Sequence, residues 1–357
     1  MNPLQSLASL GQSPWLDFIS RASLESGQIK NLMEQGILGV TSNPAIFEQA
    51  IARSSDYDKD IETLARQGHN SFEIYDKLSI EDVKAAADLF LPVYERTDGV
   101  DGYVSLEVSP FLATDTEKTI EEGRRLWQEL GRPNVMIKVP ATLEGIPAIE
   151  ALIGDGINVN VTLLFSLERY RMAAEAYING LQRLAAKGKS LKVASVASFF
   201  VSRLDTLVDP KLPEDFRSKA AIALSHCAYE MWQEIFGEGF DELRAEGART
   251  QRLLWASTST KNPDLDPIMY VEALVGAETV DTIPLATVEA YLASGQPHAV
   301  LPGAIPASKE VVKRLEGMGL HFEDAADTLE REGIEKFVQP FEKLLASIET
   351  KRSLVQG

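Results

Sequence analysis

Short apolar runs and longer amphipathic stretches alternate from one end of the chain to the other. The runs that read as strands cover residues 15–19, 39–43, 103–108, 135–139, 157–164, 191–199, 252–257 and 279–283. Between them apolar residues recur at helical spacing, for example over 71–90, 117–130, 167–186 and 214–236. Eight strand-helix units in succession predict an α/β protein built as a (β/α)8 TIM barrel. An open doubly wound sheet alternates in the same way, but it ordinarily carries a Gly-rich turn after its first strand, and this chain has none there. Two more helical stretches, 308–318 and 323–348, are expected to pack outside the barrel or over its mouth. No Pro/Gly/Ser-rich linker interrupts the pattern. Residues 1–357 therefore read as one barrel domain, with 302–357 as appended C-terminal helices.

A parallel strand covered by helices is usually apolar on both faces, so a polar face within such a strand needs a reason. Residues 103–108 split into Val104, Leu106 and Val108 on one side and Tyr103, Ser105 and Glu107 on the other. In 157–163 the polar side carries Asn158, Asn160 and Thr162. Asp17 falls on one face with Trp15, and Asn43 falls with Thr41 near the end of the second strand. These faces are expected to line the barrel, with the polar groups toward the carboxyl ends of the strands, where barrel enzymes carry their sites.

Lys138 stands inside the apolar run Val135-Met136-Ile137-Lys138-Val139-Pro140. Burying an unpaired ammonium costs several kcal/mol, and the usual escape is loss of the proton. A neutral buried amine attacks carbonyl carbon. Bringing a lysine from about 10.4 to about 7 takes roughly 4 to 5 kcal/mol of differential stabilisation, which demands a rigid scaffold. The bland alternatives are a snorkelling or salt-bridged lysine, or a buried ion pair with Glu107 or Asp17, and such pairs stabilise only weakly. Imine chemistry needs several proton transfers, and two carboxylates in different surroundings can divide them.

Charge and composition narrow the partners. With 35 basic and 53 acidic residues the net charge is -18, which argues against broad binding to nucleic acid or to an anionic membrane, so any phosphate site must be local. No apolar run reaches about 18 residues, and residues 1–15 lack the regions of a signal peptide, so a cytoplasmic protein is expected. Cys227 is the single cysteine, and His69, His226, His298 and His321 form no ligand spacing, so neither an internal disulfide nor a structural metal is expected.

The segments Trp15-Leu16-Asp17, Gly39-Val40-Thr41-Ser42-Asn43-Pro44, Ser105-Leu106-Glu107-Val108, Ile137-Lys138-Val139-Pro140, Asn158 through Ser166, and Trp255-Ala256-Ser257-Thr258 together resemble the transaldolase family, in the family's order and over about 15–301. The likeness is to the longer bacterial subfamily. It implies a cofactor-independent enzyme of the pentose phosphate pathway in which Lys138 forms a Schiff base with a ketose phosphate. It further implies that Asp17 handles the proton on the donor C4 hydroxyl, that Glu107 and a water held by Thr162 shuttle protons during imine formation, and that Asn43 and Asn160 hydrogen-bond the dihydroxyacetone unit. Structural roles in a turn and in the barrel core are the alternatives for the two asparagines. The resemblance leaves open a monomer or a homodimer. Asn160-Val161-Thr162 also matches a glycosylation pattern, without meaning in a buried strand.

A sugar phosphate requires a cationic end to the site. Ser198-Phe199-Phe200-Val201-Ser202-Arg203 lies just past the sixth strand, where an arginine can grip phosphate with paired donors. Arg203 is the expected clamp, with a surface ion pair to Asp205 as its alternative. Ser257 and Lys261, after the seventh strand, are expected to join it. Shorter family members carry an arginine closer to the serine, so Lys261 departs from their pattern. Phe200 stands where the related fructose 6-phosphate aldolases have a water-positioning tyrosine, which favours transfer over simple cleavage. Lys187-Gly188-Lys189-Ser190 lacks the glycine of a nucleotide loop, since Arg183 stands in its place, and reads as a solvated turn.

Overall fold

Eight parallel strands close into a barrel in sequential order in the computed structural model, which describes residues 1–356. The strands are β1 (Gln12–Asp17), β2 (Val40–Thr41), β3 (Val104–Glu107), β4 (Val135–Pro140), β5 (Val159–Leu164), β6 (Ser195–Phe200), β7 (Arg252–Ala256) and β8 (Thr279–Ile283). β8 pairs back onto β1, so no edge is left open. Helices follow the strands around the outside, and the apolar side chains between the two layers are almost wholly buried. The expected (β/α)8 barrel with additional C-terminal helices is the observed architecture.

The boundaries differ from the sequence reading where polar side chains find partners only in the closed ring. β1 starts three residues early, at Gln12, whose amide donates to Leu274 O (2.6 Å) and to Thr279 Oγ1 (3.0 Å). β2 shortens to two residues because Asn43 leaves the strand to cap the helix Pro44–Phe47, accepting from Ile46 N at 3.0 Å. β6 starts four residues late, at Ser195, and runs one residue further, through Phe200, which makes Phe200 a strand residue and sets Arg203 in the first turn of the helix Ser202–Val208. The helix expected over 214–236 begins at Ala220, because Asp209 accepts from Ser218 N at 2.9 Å and Ser218 takes a positive φ.

The two C-terminal helices divide the two expected positions between them. Ile305–Gly317 packs on the outside against Ala220–Ile235, with His226 Nδ1 2.7 Å from Ser308 Oγ and Lys309 3.0 Å from Glu230. Phe322–Gln356 crosses the carboxyl ends of the strands and touches β5, the turn Pro110–Leu112 and the helix Ser202–Val208.

Candidate active site

The register of the parallel strands sets the level of each functional side chain. Glu107, Lys138 and Asn160 are direct partners across β3, β4 and β5, and Asp17 and Thr41 are partners across β1 and β2. Neighbouring strands lie about 4.8 Å apart, so pairing in register brings these polar groups within reach of one another.

Lys138 is only 6% exposed, so it does not snorkel to solvent. Its Nζ donates to the Ser42 carbonyl at 2.7 Å and lies 3.5 Å from Glu107 Oε2. That oxygen is buried and has no hydrogen bond, while Thr162 Oγ1 donates to Glu107 Oε1 over 3.3 Å. Burial pushes the Glu107 carboxyl above its usual range, against the opposing pull of Lys138. Asp17 accepts from Thr41 Oγ1 at 2.8 Å, and Thr41 is 2.6 Å from Thr282 Oγ1. Desolvation also raises Asp17, with Lys138 first among the groups that oppose it. Two carboxyls raised by burial thus lie near one buried amine, Asp17 in the same cavity and Glu107 beside it across the strand pair.

Asn160 is held from both sides, donating to Ser105 Oγ at 3.1 Å and accepting from Ser198 Oγ at 2.7 Å. Asn43 spends its side-chain oxygen on the helix cap, and its residue lines the cavity. Both asparagines therefore have structural work and face the site as well.

Arg203 makes no ion pair among the described residues. Asp205 turns away and accepts from Ala221 N (2.8 Å) and Tyr270 OH (2.9 Å), which removes the surface-pair alternative. The guanidinium lies over the Phe200 ring with Cζ 5.0 Å from the centroid, and its Nη1 is buried without a partner. Ser257, in the left-handed region at φ 59°, stands 3.0 Å from Ser202 Oγ. Lys261 is 2.8 Å from Ser259 Oγ, and desolvation with the nearby Arg203 holds its ammonium below the ordinary value. In a chain of net charge -18, Arg203 and Lys261 are two neighbouring cations without an ion-pair partner among the described residues.

These groups enclose a cavity of about 180 Å³, several times the share of one water. Its lining includes Asp17, Asn43, Lys138, Asn160, Thr162, Ser198, Phe200, Arg203, Ser257 and Lys261, so ten of the eleven residues proposed from the sequence line one cavity. Glu107, beside Lys138 on the neighbouring strand, lines a small cavity of its own with Leu163 and Phe337. A wider groove of about 650 Å³ lies beyond Lys261, lined by Asp205, Asp209, Arg217 and Tyr270 among others, and contains no amine placed like Lys138.

The model of the transaldolase/fructose-6-phosphate aldolase family matches residues 14–348. The chain belongs to that family. It is 45% identical to the transaldolase of Trichodesmium erythraeum, over 98% of this chain and 97% of the relative. It is likewise 45% identical to that of Thermobifida fusca, over 96% of each, and 42% identical to that of Neisseria gonorrhoeae, over 98% and 100%. The protein is thus an enzyme of the transaldolase/fructose-6-phosphate aldolase family, with family likeness over nearly its whole length.

Several members of the site escaped the sequence reading. The Ser42 carbonyl is a backbone group with no side-chain signal, and Thr282 could have been found only by extending the period-2 argument to β8. Phe337, from the last helix, lines the cavity too, and nothing in a helical apolar stripe marks one phenylalanine as facing a site.

Proposed function

We propose that this enzyme is a transaldolase that moves a dihydroxyacetone unit from sedoheptulose 7-phosphate to glyceraldehyde 3-phosphate, giving erythrose 4-phosphate and fructose 6-phosphate. The observation that carries this reading is a buried lysine amine between two protonatable carboxyls, with an unpaired arginine at the rim of the same cavity.

Lys138 attacks the donor C2 carbonyl as the free amine. Glu107, through a water held at Thr162, delivers the proton that lets the carbinolamine lose water, and an iminium forms on the lysine nitrogen. Asp17 takes the proton from the C4 hydroxyl, the C3–C4 bond breaks, and its electron pair moves into the iminium to give an enamine and a free aldehyde. The acceptor aldehyde then enters, the enamine carbon adds to it, and Asp17 returns the proton to the new alkoxide. Hydrolysis of the product imine regenerates Lys138. Asn43, Asn160 and Ser198 hold the hydroxyls of the three-carbon unit, while Arg203, Ser257 and Lys261 hold the phosphate. Phe200 presents a ring without a hydroxyl, so it holds no water against the enamine, and this favours transfer over release of dihydroxyacetone. The sugar-phosphate substrates place the reaction in the pentose phosphate pathway and the enzyme in the cytoplasm, acting without a cofactor as a monomer or homodimer.

The test is reduction with borohydride in the presence of fructose 6-phosphate. Inactivation should accompany a reduced three-carbon adduct on the peptide containing Lys138. An enzyme left unmodified and fully active would end the covalent reading.

A further inference from the structure

The last helix does more than close the fold. Phe337 is 6% exposed and sits with its ring centroid 6.0 Å from Lys138 Nζ and 6.0 Å from Arg203 Cζ. It lines the cavity of Lys138 and also the small one behind it, beside Glu107, Leu163 and Ile334. The helix is tied down on both sides of this ring. Before it, Glu330 meets Arg169 at 2.7 Å, and Arg169 also donates to Ala141 O at 2.6 Å. After it, Phe341 packs edge-on against Tyr75, with centroids 4.9 Å apart, and against Phe72 and Phe111. One turn before Phe337 the helix carries Gly333, where an added Cβ would stand 2.9 Å from Leu163 Cδ2 and 3.6 Å from Arg203 Nη1. Leu163 follows Thr162 at the irregularity of β5 and holds φ 58°, a conformation unfavourable for a bulky side chain. A strained leucine and a bare glycine thus let the helix approach closely enough to hold a phenyl ring over the amine.

We propose that Phe337 is a specificity-determining residue that keeps water from the three-carbon enamine on Lys138, so that the fragment passes to an aldehyde. This rests on the transaldolase reading above. In the competing reaction the enamine carbon gains a proton and becomes an imine, water adds across the C=N bond, and the C–N bond breaks. Dihydroxyacetone and free Lys138 result, and the water consumed equals the water lost when the Schiff base formed. Both steps need a proton source or water at the reacting atoms. An aryl face offers neither, and it favours a cation such as the iminium over a water molecule. Phe200, whose ring also lies against Arg203, gives the site a second aromatic wall that binds no water.

The test is a ratio, because a merely structural role would lower both rates together. Free dihydroxyacetone formed from fructose 6-phosphate alone is measured against transfer to erythrose 4-phosphate, for wild type, Phe337→Ala, Phe337→Tyr and Phe337→Leu. The release-to-transfer ratio should rise about tenfold or more in Phe337→Ala, rise less in Phe337→Tyr, and stay near wild type in Phe337→Leu. Should Phe337→Ala fail to fold, the contrast between the tyrosine and leucine variants decides. A ratio unchanged across the folded variants overturns the proposal while leaving the transaldolase reading intact if wild type traps at Lys138 and transfers. A wild type that neither traps nor transfers overturns both.

Discussion

The barrel holds a buried cation beside a carboxylate at each of its two ends, and the two pairs are built differently. At the floor, Arg252 donates to Ser13 Oγ (2.8 Å), Val100 O (2.6 Å) and Asp101 Oδ1 (3.1 Å). Asp101 also accepts from Ser13 (2.8 Å) and from the Trp15 indole (3.0 Å), so both charges are satisfied by fixed partners. At the mouth, Lys138 has one hydrogen bond and a carboxylate at 3.5 Å, while Glu107 Oε2 and Arg203 Nη1 have none. A satisfied buried pair specifies structure, whereas an unsatisfied one retains free energy that a ligand can release. The floor network joins β1, the loop before β3 and β7; the mouth leaves donors and acceptors directed into a cavity.

The sharpest way to break this comparison is to alter one acid at each end. Glu107→Gln should slow turnover by about 10² to 10⁴ with sugar-phosphate binding retained and a smaller loss of stability than at the floor, because a proton shuttle is lost while the amide oxygen can still accept from Thr162. Asp101→Ala should do the reverse. It leaves Arg252 buried without its carboxylate and should cost about 3–5 kcal/mol in denaturant unfolding, with the turnover of folded enzyme preserved. If Asp101→Ala slowed the folded enzyme as much as Glu107→Gln does, the division into structural floor and chemical mouth would be wrong.

Arg203→Ala comes next in size. Losing charge-assisted bonds worth about 1.5–3 kcal/mol should raise KM for phosphorylated substrates by roughly 10- to 100-fold, with a smaller change in kcat. An unaltered KM in steady-state kinetics would make the arginine a packing residue between Phe200 and Phe337.

The smallest effect concerns a buried acid outside the cavity. Asp281 accepts from Thr258 Oγ1 at 2.8 Å, and burial pushes its carboxyl up to about 7. The folded-state value lies above the unfolded one, so the contribution of this group to stability is complete below about pH 4 and is lost as pH rises through about 7. Asp281→Asn keeps the acceptor oxygen and cannot ionise. Relative to wild type, it should remove a decline on the order of 1–2 kcal/mol between pH 5 and 7, read by thermal or urea unfolding at each pH. Parallel curves for the two proteins would show that folding does not raise the Asp281 carboxyl above its unfolded-state value.

Much of the frame was legible because periodicity reports local geometry. β8 (Thr279–Ile283) and the helix Leu167–Ala186 have the bounds their patterns predict, and the polar faces of β3 and β5 carry Glu107, Asn160 and Thr162 to the cavity side. The start of β1 was hidden because Gln12 and Ser13 look solvated until the ring supplies Leu274 O and Asp101. The break before Ala220 was hidden because it depends on Asp209 reaching Ser218. A side chain that bonds its own neighbours can override a helical stripe, and the stripe does not reveal it.

By itself the sequence determined which elements form, which strand faces are polar, and that one lysine would be buried among them, since each follows from alternation within a few residues. Tertiary structure alone decided depth and company: that Lys138 meets Glu107 and the Ser42 carbonyl, that Arg203 is left without a carboxylate, and that Phe337 arrives from about two hundred residues away to cover the amine. The physical reason is that period assigns a side chain to a face, while its neighbours across a closed ring are set by strand register and by how closely Gly333 lets the last helix approach Leu163.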